Sequence, residues 1–147
     1  MKLNKIYHSD IKPHSFLVDS SWNVKIIDFS VAIVKNEDIT SNATGNLPIQ
    51  GTKGYTSPKI ETVNNFNQEI ILIYPEKSDV FSLGLLILQI LKKINAEGCN
   101  RYERKAELDS IINTINFEWA RNLLKQMLNL NPSLRLDFSS LLNLIPV

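Results

Sequence analysis

Residues 80–91, VFSLGLLILQIL, constrain the chain most, because they are apolar on nearly every face of a helix. Such a helix belongs at the centre of a packed body. The run is shorter than the ~20 residues a membrane span needs, so burial within protein is what removes it from water. Ser78 is placed to cap this helix, and Lys92 and Lys93 suit the negative end of its dipole, which predicts a helix from Ser78 to Ile94. Farther along, Ala120, Leu123, Leu124, Met127 and Leu128 recur at three and four residues and stop at Asn131 and Pro132, the pattern of an amphipathic helix. Asp137 predicts a cap for a last short helix ending before Pro146. These apolar positions are read as core packing.

A chain of 147 residues, 44% hydrophobic and 21% charged, has the makeup of one soluble globular domain and not of a disordered or membrane-dominated one. Its single cysteine, Cys99, forms no internal disulfide. Lys and Arg number 16 against 15 Asp and Glu, with no clustered basic excess, so nucleic acid is not an expected partner. The N-terminus MKLNKIYHSD lacks the apolar core of a signal peptide, and the expected location is cytoplasmic, with no membrane partner.

Polarity and period change near Glu76, separating a front that carries a hairpin from a helical back. Residues 16–18 and 24–27 are short β-branched or aromatic runs flanking the polar turn DSSWN, which predicts a hairpin. Residues 31–34 suit a further short strand. Residues 36–58 are rich in Asn, Thr, Gly and Pro and show neither period. A stretch of that length inside a compact domain is read as functional or disordered.

The string HSDIKPHSFL at residues 8–17 lies just before the hairpin, whose second strand leads into Asp28-Phe29-Ser30. Further on come GTKGYTSPK at 51–59, KSDVFSLG at 77–84 and NPSLR at 131–135. In this order the five strings resemble the catalytic loop (HRDLKPxN), metal-binding turn (DFG), activation-segment end (GTxxYxxPE), KSDVWSLG string and NPxxR string of protein kinases. Each is weak alone; five in the family's order across almost the whole chain are specific.

The resemblance implies a mainly α fold with a small β-hairpin, the helical C-terminal lobe of a protein-kinase-like domain with the N-terminal lobe absent. It divides residues 1–147 into catalytic loop 8–17, metal-binding turn 28–30, activation segment 31–59 and helical subdomain 76–147. It further implies transfer of the ATP γ-phosphate to protein Ser/Thr hydroxyls, with a protein substrate or partner. By the same carry-over, Asp10 accepts the acceptor hydroxyl's proton, Lys12 lies near the transferred phosphate, and Thr52 bridges the two. Asp28 and Ser15 would hold Mg²⁺, and Lys12, Ser15 and Asp28 would contact the cofactor. Taken without the family, Asp10 and Lys12 would read as a solvated pair, Asp28 as a turn former and His8 as a core histidine.

Several positions depart from the family pattern. The five glycines form no GxGxxG, and no stretch supplies the phosphate-binding lysine and its glutamate. Residues 3–7 are read as the remnant of the helix leading into the catalytic loop, so a flank of the central helix is expected to lie uncovered and to permit self-association. Ser15 replaces an Asn, Ser30 the glycine of DFG, and Ser9 an arginine. Lys59 stands where the family has a glutamate paired with the arginine matching Arg135, and Glu61 or another acid is the candidate replacement. The reading is therefore a Ser/Thr-type kinase lobe with weak or no turnover on its own. The alternatives are a non-catalytic, pseudokinase-like binding module or a part of a longer kinase.

Overall fold

The structure, a computed structural model, describes residues 6–34, 45–48, 50–65 and 70–146. The strands are β1 Ile6–Tyr7, β2 Phe16–Val18, β3 Val24–Ile26, β4 Ile33–Val34, β5 Gly45–Pro48 and β6 Ile70–Ile73. The helices are α1 Pro58–Asn65, α2 Pro75–Lys92, α3 Lys105–Asn113, α4 Glu118–Met127 and α5 Phe138–Leu142, with short 3-10 turns at Pro13–Ser15 and Tyr102–Arg104. The strands form three antiparallel pairs, β1 with β4, β2 with β3 and β5 with β6.

The all-round apolar helix lies where its composition requires. Val80, Phe81, Leu85 and Leu88 of α2 are wholly buried. On one side Phe81, Leu85 and Leu88 pack with Leu108, Ile112, Leu124 and Leu128, and on another Val80 meets Leu123, Met127 and Leu141. Helix α4 thus faces α2 with the stripe its spacing predicted. The two approach closely at Gly84, where a Cβ would come within 2.9 Å of Leu128 Cδ2.

The start of α2 differs from the expectation. The helix begins at Pro75, whose fixed φ and missing N–H suit the first turn, and Tyr74 occupies the cap without a side-chain bond. Ser78 lies inside the first turns, its hydroxyl 3.1 Å from that of Ser57. The helix ends at Lys92 because Lys93 turns left-handed, at φ 52. The last helix does have the expected cap, Asp137 accepting a bond from the Ser140 N–H at 2.8 Å.

The predicted hairpin is β2–β3, with Phe16 opposite Ile26. Its turn is closed by Asp19, whose carboxylate accepts from the N–H groups of Ser21 and Asn23, each at 2.9 Å. Ile6 and Tyr7 do not continue a helix; they pair as a strand with Val34 and Ile33. Residues 3–5 lie outside the described residues. Two elements in the front were not expected. One is α1, whose buried Ile60 and Val63 are too few to display a period. The other is the β5–β6 pair, which joins a Gly- and Pro-containing segment to Ile70–Ile73 from well down the chain.

The expected uncovered flank is present. Between the β2–β3 hairpin and α2 runs an apolar groove of about 770 Å³, lined by Phe16, Val18, Val24, Leu83, Leu86 and Ile90. Ile90 keeps 65% of its surface exposed.

Glu61 turns to Gly54 and Thr56 and not to Arg135, so the expectation for Glu61 is corrected. Arg135 is buried, and its guanidinium donates to the carbonyls of Asn129 at 2.7 and 2.9 Å and of Lys77 at 2.6 Å. It also lies 4.7 Å from the centre of the Phe81 ring. In return the Lys77 ammonium donates to the Arg135 carbonyl. Burial pulls the guanidinium down to about 9, which leaves it charged at neutral pH. Backbone dipoles and a ring face do here what a carboxylate would do elsewhere.

Candidate functional site

The loop between β1 and β2 is fixed from below by the first turns of α2. Buried Asp79 accepts the His8 N–H on one oxygen, at 2.7 Å, and the Ser9 N–H on the other, at 2.9 Å. These bonds hold Ser9 in the left-handed region, at φ 65, which a residue with a Cβ adopts at a cost. Burial raises the Asp79 pKa to about 6. His8 is itself buried. Its Nδ1 accepts the Asp10 N–H at 3.3 Å and its Nε2 lies 2.9 Å from the Ile27 carbonyl, so the ring carries its proton on Nε2. The Phe29 ring stands 4.9 Å from it, tilted by 54°.

Above this base three side chains meet. The Lys12 ammonium donates to Asp10 Oδ2 at 2.6 Å and to the Thr52 hydroxyl at 2.7 Å, and that hydroxyl donates to Asp10 Oδ1 at 2.6 Å. The ring of contacts is closed, with two of the three ammonium donors and the Thr52 hydroxyl proton engaged in it. Burial alone would raise the Asp10 pKa, but the bonds from Lys12 and Thr52 outweigh it and hold the carboxyl below its ordinary value. An ionised carboxylate with an ammonium beside it can orient a hydroxyl and accept its proton while the cation faces developing anionic charge.

Asp28 stands exposed at the end of the hairpin, in the left-handed region at φ 62. The Ser30 hydroxyl donates to its Oδ1 at 2.7 Å, and this bond holds the Asp28 pKa below its ordinary value. Of the two residues expected to hold Mg²⁺, Asp28 has the right chemistry, since Mg²⁺ is satisfied by one carboxylate together with water and phosphate oxygens. Ser15 does not fit that role. It is wholly buried, and its hydroxyl donates to the Asp10 carbonyl at 2.8 Å, where it braces the loop. Among the described residues no group of three or more His, Cys, Asp or Glu side chains is placed to hold a metal ion.

The structure thus brings Asp10, Lys12 and Thr52 into contact, sets Ser15 beneath them, and leaves Asp28 at the edge. A model of the protein kinase domain family matches residues 1–144. The chain belongs to the protein kinase domain family. Cysteine-rich receptor-like protein kinase 18 of Arabidopsis thaliana is 32% identical to it over 136 residues, 92% of this chain and 18% of that protein. Cysteine-rich receptor-like protein kinase 41 of the same plant is 31% identical over 131 residues, 88% of this chain and 18% of that protein. A probable serine/threonine-protein kinase of Dictyostelium discoideum, kinX, is 35% identical over 89 residues, 60% of this chain and 7% of that protein. The chain therefore spans about a fifth or less of these relatives. The described residues form the helical lobe of a kinase-like fold, and no described helix is long and apolar enough to cross a membrane.

Within this kinase domain, sequence reasoning missed how Asp79, Glu61 and Asn100 serve the loops. Asp79 sat in a recognised string, and its carboxylate in an otherwise apolar stretch was the available signal. Glu61 was noticed as an acid but aimed at the wrong partner. Asn100, which donates to the Thr56 carbonyl at 2.9 Å, carried no signal in the sequence.

Proposed function

We propose that the chain is part of a Ser/Thr-type protein kinase, cytoplasmic in location, descended from enzymes that transfer the ATP γ-phosphate to protein hydroxyls. The observation that carries this reading is the closed contact of Asp10, Lys12 and Thr52. Asp10 would orient the acceptor hydroxyl and take its proton, Lys12 would face the transferred phosphate, and Thr52 would keep both in register. Asp28 is the residue that would hold Mg²⁺, whose charge offsets that of the phosphates. Residues 8–17, 28–30, 31–59 and 76–147 would serve as catalytic loop, metal-binding turn, activation segment and helical subdomain. These 147 residues contain no Gly-rich loop to cover a nucleotide, so turnover by them alone is expected to be weak or nil.

A second reading, a binding module that docks a protein partner or a second copy, is favoured by the apolar groove beside α2. Labelled phosphate transfer to a generic protein acceptor, run beside Asp10→Asn, separates the two. Slow incorporation lost in the variant supports the kinase reading, and incorporation that survives Asp10→Asn overturns the assigned role. No incorporation, with concentration-dependent self-association in light scattering, points to the binding module.

A further inference from the structure

The acid that does not reach Arg135 has another task. Glu61 lies in the first turn of α1 and is 2% exposed. Its side chain bends back over the segment preceding its own helix. One oxygen, Oε2, accepts both the Gly54 N–H at 3.1 Å and the Thr56 hydroxyl at 2.7 Å. Asn100 takes the Thr56 carbonyl from the other side at 2.9 Å. Between these anchors and Thr52 there is one further link, the Tyr55 N–H donating to the Thr52 carbonyl at 3.0 Å. Residues 52–56 therefore form a single turn, held at its far end by Glu61 and Asn100 and touching Asp10 and Lys12 at its near end.

Two features separate this arrangement from ordinary packing. Glu61 Oε1 and Asn100 Oδ1 are both buried with no hydrogen-bond partner among the described residues. A carboxylate with an unanswered buried oxygen is a costly way to add stability, and an apolar residue would fill the space with less penalty. The turn is also conformationally demanding. Gly54 has φ 87, and a Cβ there would come within 2.5 Å of Glu97 Cγ, so the turn that Glu61 holds requires glycine at this position.

We propose that Glu61 is a positioning residue for the acceptor-binding end of the activation segment: its buried carboxylate fixes Gly54 and Thr56 and thereby sets Thr52 against Asp10 and Lys12. The functional meaning rests on the kinase reading above, while the positioning itself does not. Asn100 supports the same turn through the Thr56 carbonyl.

The test uses the full chain with Glu61→Ala, Glu61→Gln and Thr56→Val. Three readouts are local: hydrogen exchange of the Gly54 amide, tryptic cleavage after exposed Lys53, and the NMR signals of the Thr52 methyl and the Lys12 ammonium. Exchange of the Leu85 amide in α2 serves as the global reference. Glu61→Ala should raise Gly54 exchange and Lys53 cleavage by about tenfold or more, the scale of a lost charge-assisted bond, and should move the Thr52 and Lys12 signals. Leu85 should change much less. Glu61→Gln, which keeps an acceptor oxygen but not the charge, should fall between the parent and Glu61→Ala, as should Thr56→Val. Unchanged Thr52 and Lys12 signals in folded Glu61→Ala overturn the proposal, as does equal loosening of Gly54 and Leu85. If Glu61→Ala fails to fold, Thr56→Val decides: faster Lys53 cleavage at constant Leu85 exchange supports the proposal, and no change overturns it. None of these readouts needs nucleotide or acceptor, so absent phosphate transfer leaves them intact, and their failure leaves the Asp10, Lys12 and Thr52 contact intact.

Discussion

The helical body around α2 and the loop layer that carries Asp10 are held by different forces. In the body, Phe81, Leu85, Leu88, Leu108, Ile112 and Leu124 are buried against one another, and the stabilisation is the removal of apolar surface from water. In the loop layer, the described contacts that fix the backbone are polar and reach far along the chain. The bonds from His8 and Ser9 to Asp79 span 71 and 70 residues, and that between Thr52 and Asp10 spans 42. The body can keep its shape after the site has lost members, because the two depend on different residues. That separation is how Ser15, Ser30 and Lys59 can stand where the kinase pattern has other residues within a fold that is still recognisable.

The largest effect should come from the body. Leu85→Ala removes a wholly buried side chain from the centre of the cluster and should cost about 2–5 kcal/mol in urea unfolding. A loss under about 1 kcal/mol would place the stabilising centre elsewhere.

Next is the joint between the regions. Asp79→Asn leaves an amide nitrogen facing one of the two backbone N–H groups and should cost about 1–3 kcal/mol. It should also alter the pH dependence. The folded-state pKa of about 6 lies above the ordinary 3.8, so the folded protein binds the proton more tightly than the unfolded chain. The Asp79 contribution to stability is therefore full below about pH 3.8 and declines as pH rises through about 6. Asp79→Asn should remove that decline, which unfolding midpoints measured from pH 4 to 7 would reveal.

The smallest effect should be Lys59→Glu. Because carbonyls and the Phe81 ring already satisfy Arg135, the change should shift stability by less than about 0.5 kcal/mol. A gain of several kcal/mol would show that a carboxylate at 59 reaches Arg135 after all.

The same division explains what was legible beforehand. All-round apolarity found α2, a spacing of three and four found α4 because burial of a face imposes it, the Asp137 cap found the last helix, and β-branched or aromatic runs about a polar turn found the β2–β3 hairpin. The cap reading missed the start of α2, where Pro75 sets the boundary and Ser78 does not, and period missed α1, whose buried positions are few. The site was legible only through the resemblance, since Asp10, Lys12 and Thr52 carry no period and meet across a loop. Ser15 was misread because its residue type suggested an oxygen ligand, while the fold turns that hydroxyl inward to the Asp10 carbonyl. Glu61 was misread for a similar reason: charge complementarity pointed to Arg135, and only the fold shows the carboxylate spent on Gly54 and Thr56.

On the proposed reading, the site keeps its acceptor half in Asp10, Lys12 and Thr52, while Asp28 would hold a Mg²⁺ ion that in turn binds the phosphates. Calorimetric titration of Mg·ATP into residues 1–147 and into Asp28→Asn tests it most directly. Binding to the parent should be weaker than about 100 μM, roughly −5.5 kcal/mol, and none should be detectable for the variant. Binding in the low micromolar range, about −8 kcal/mol, that survives Asp28→Asn would contradict it.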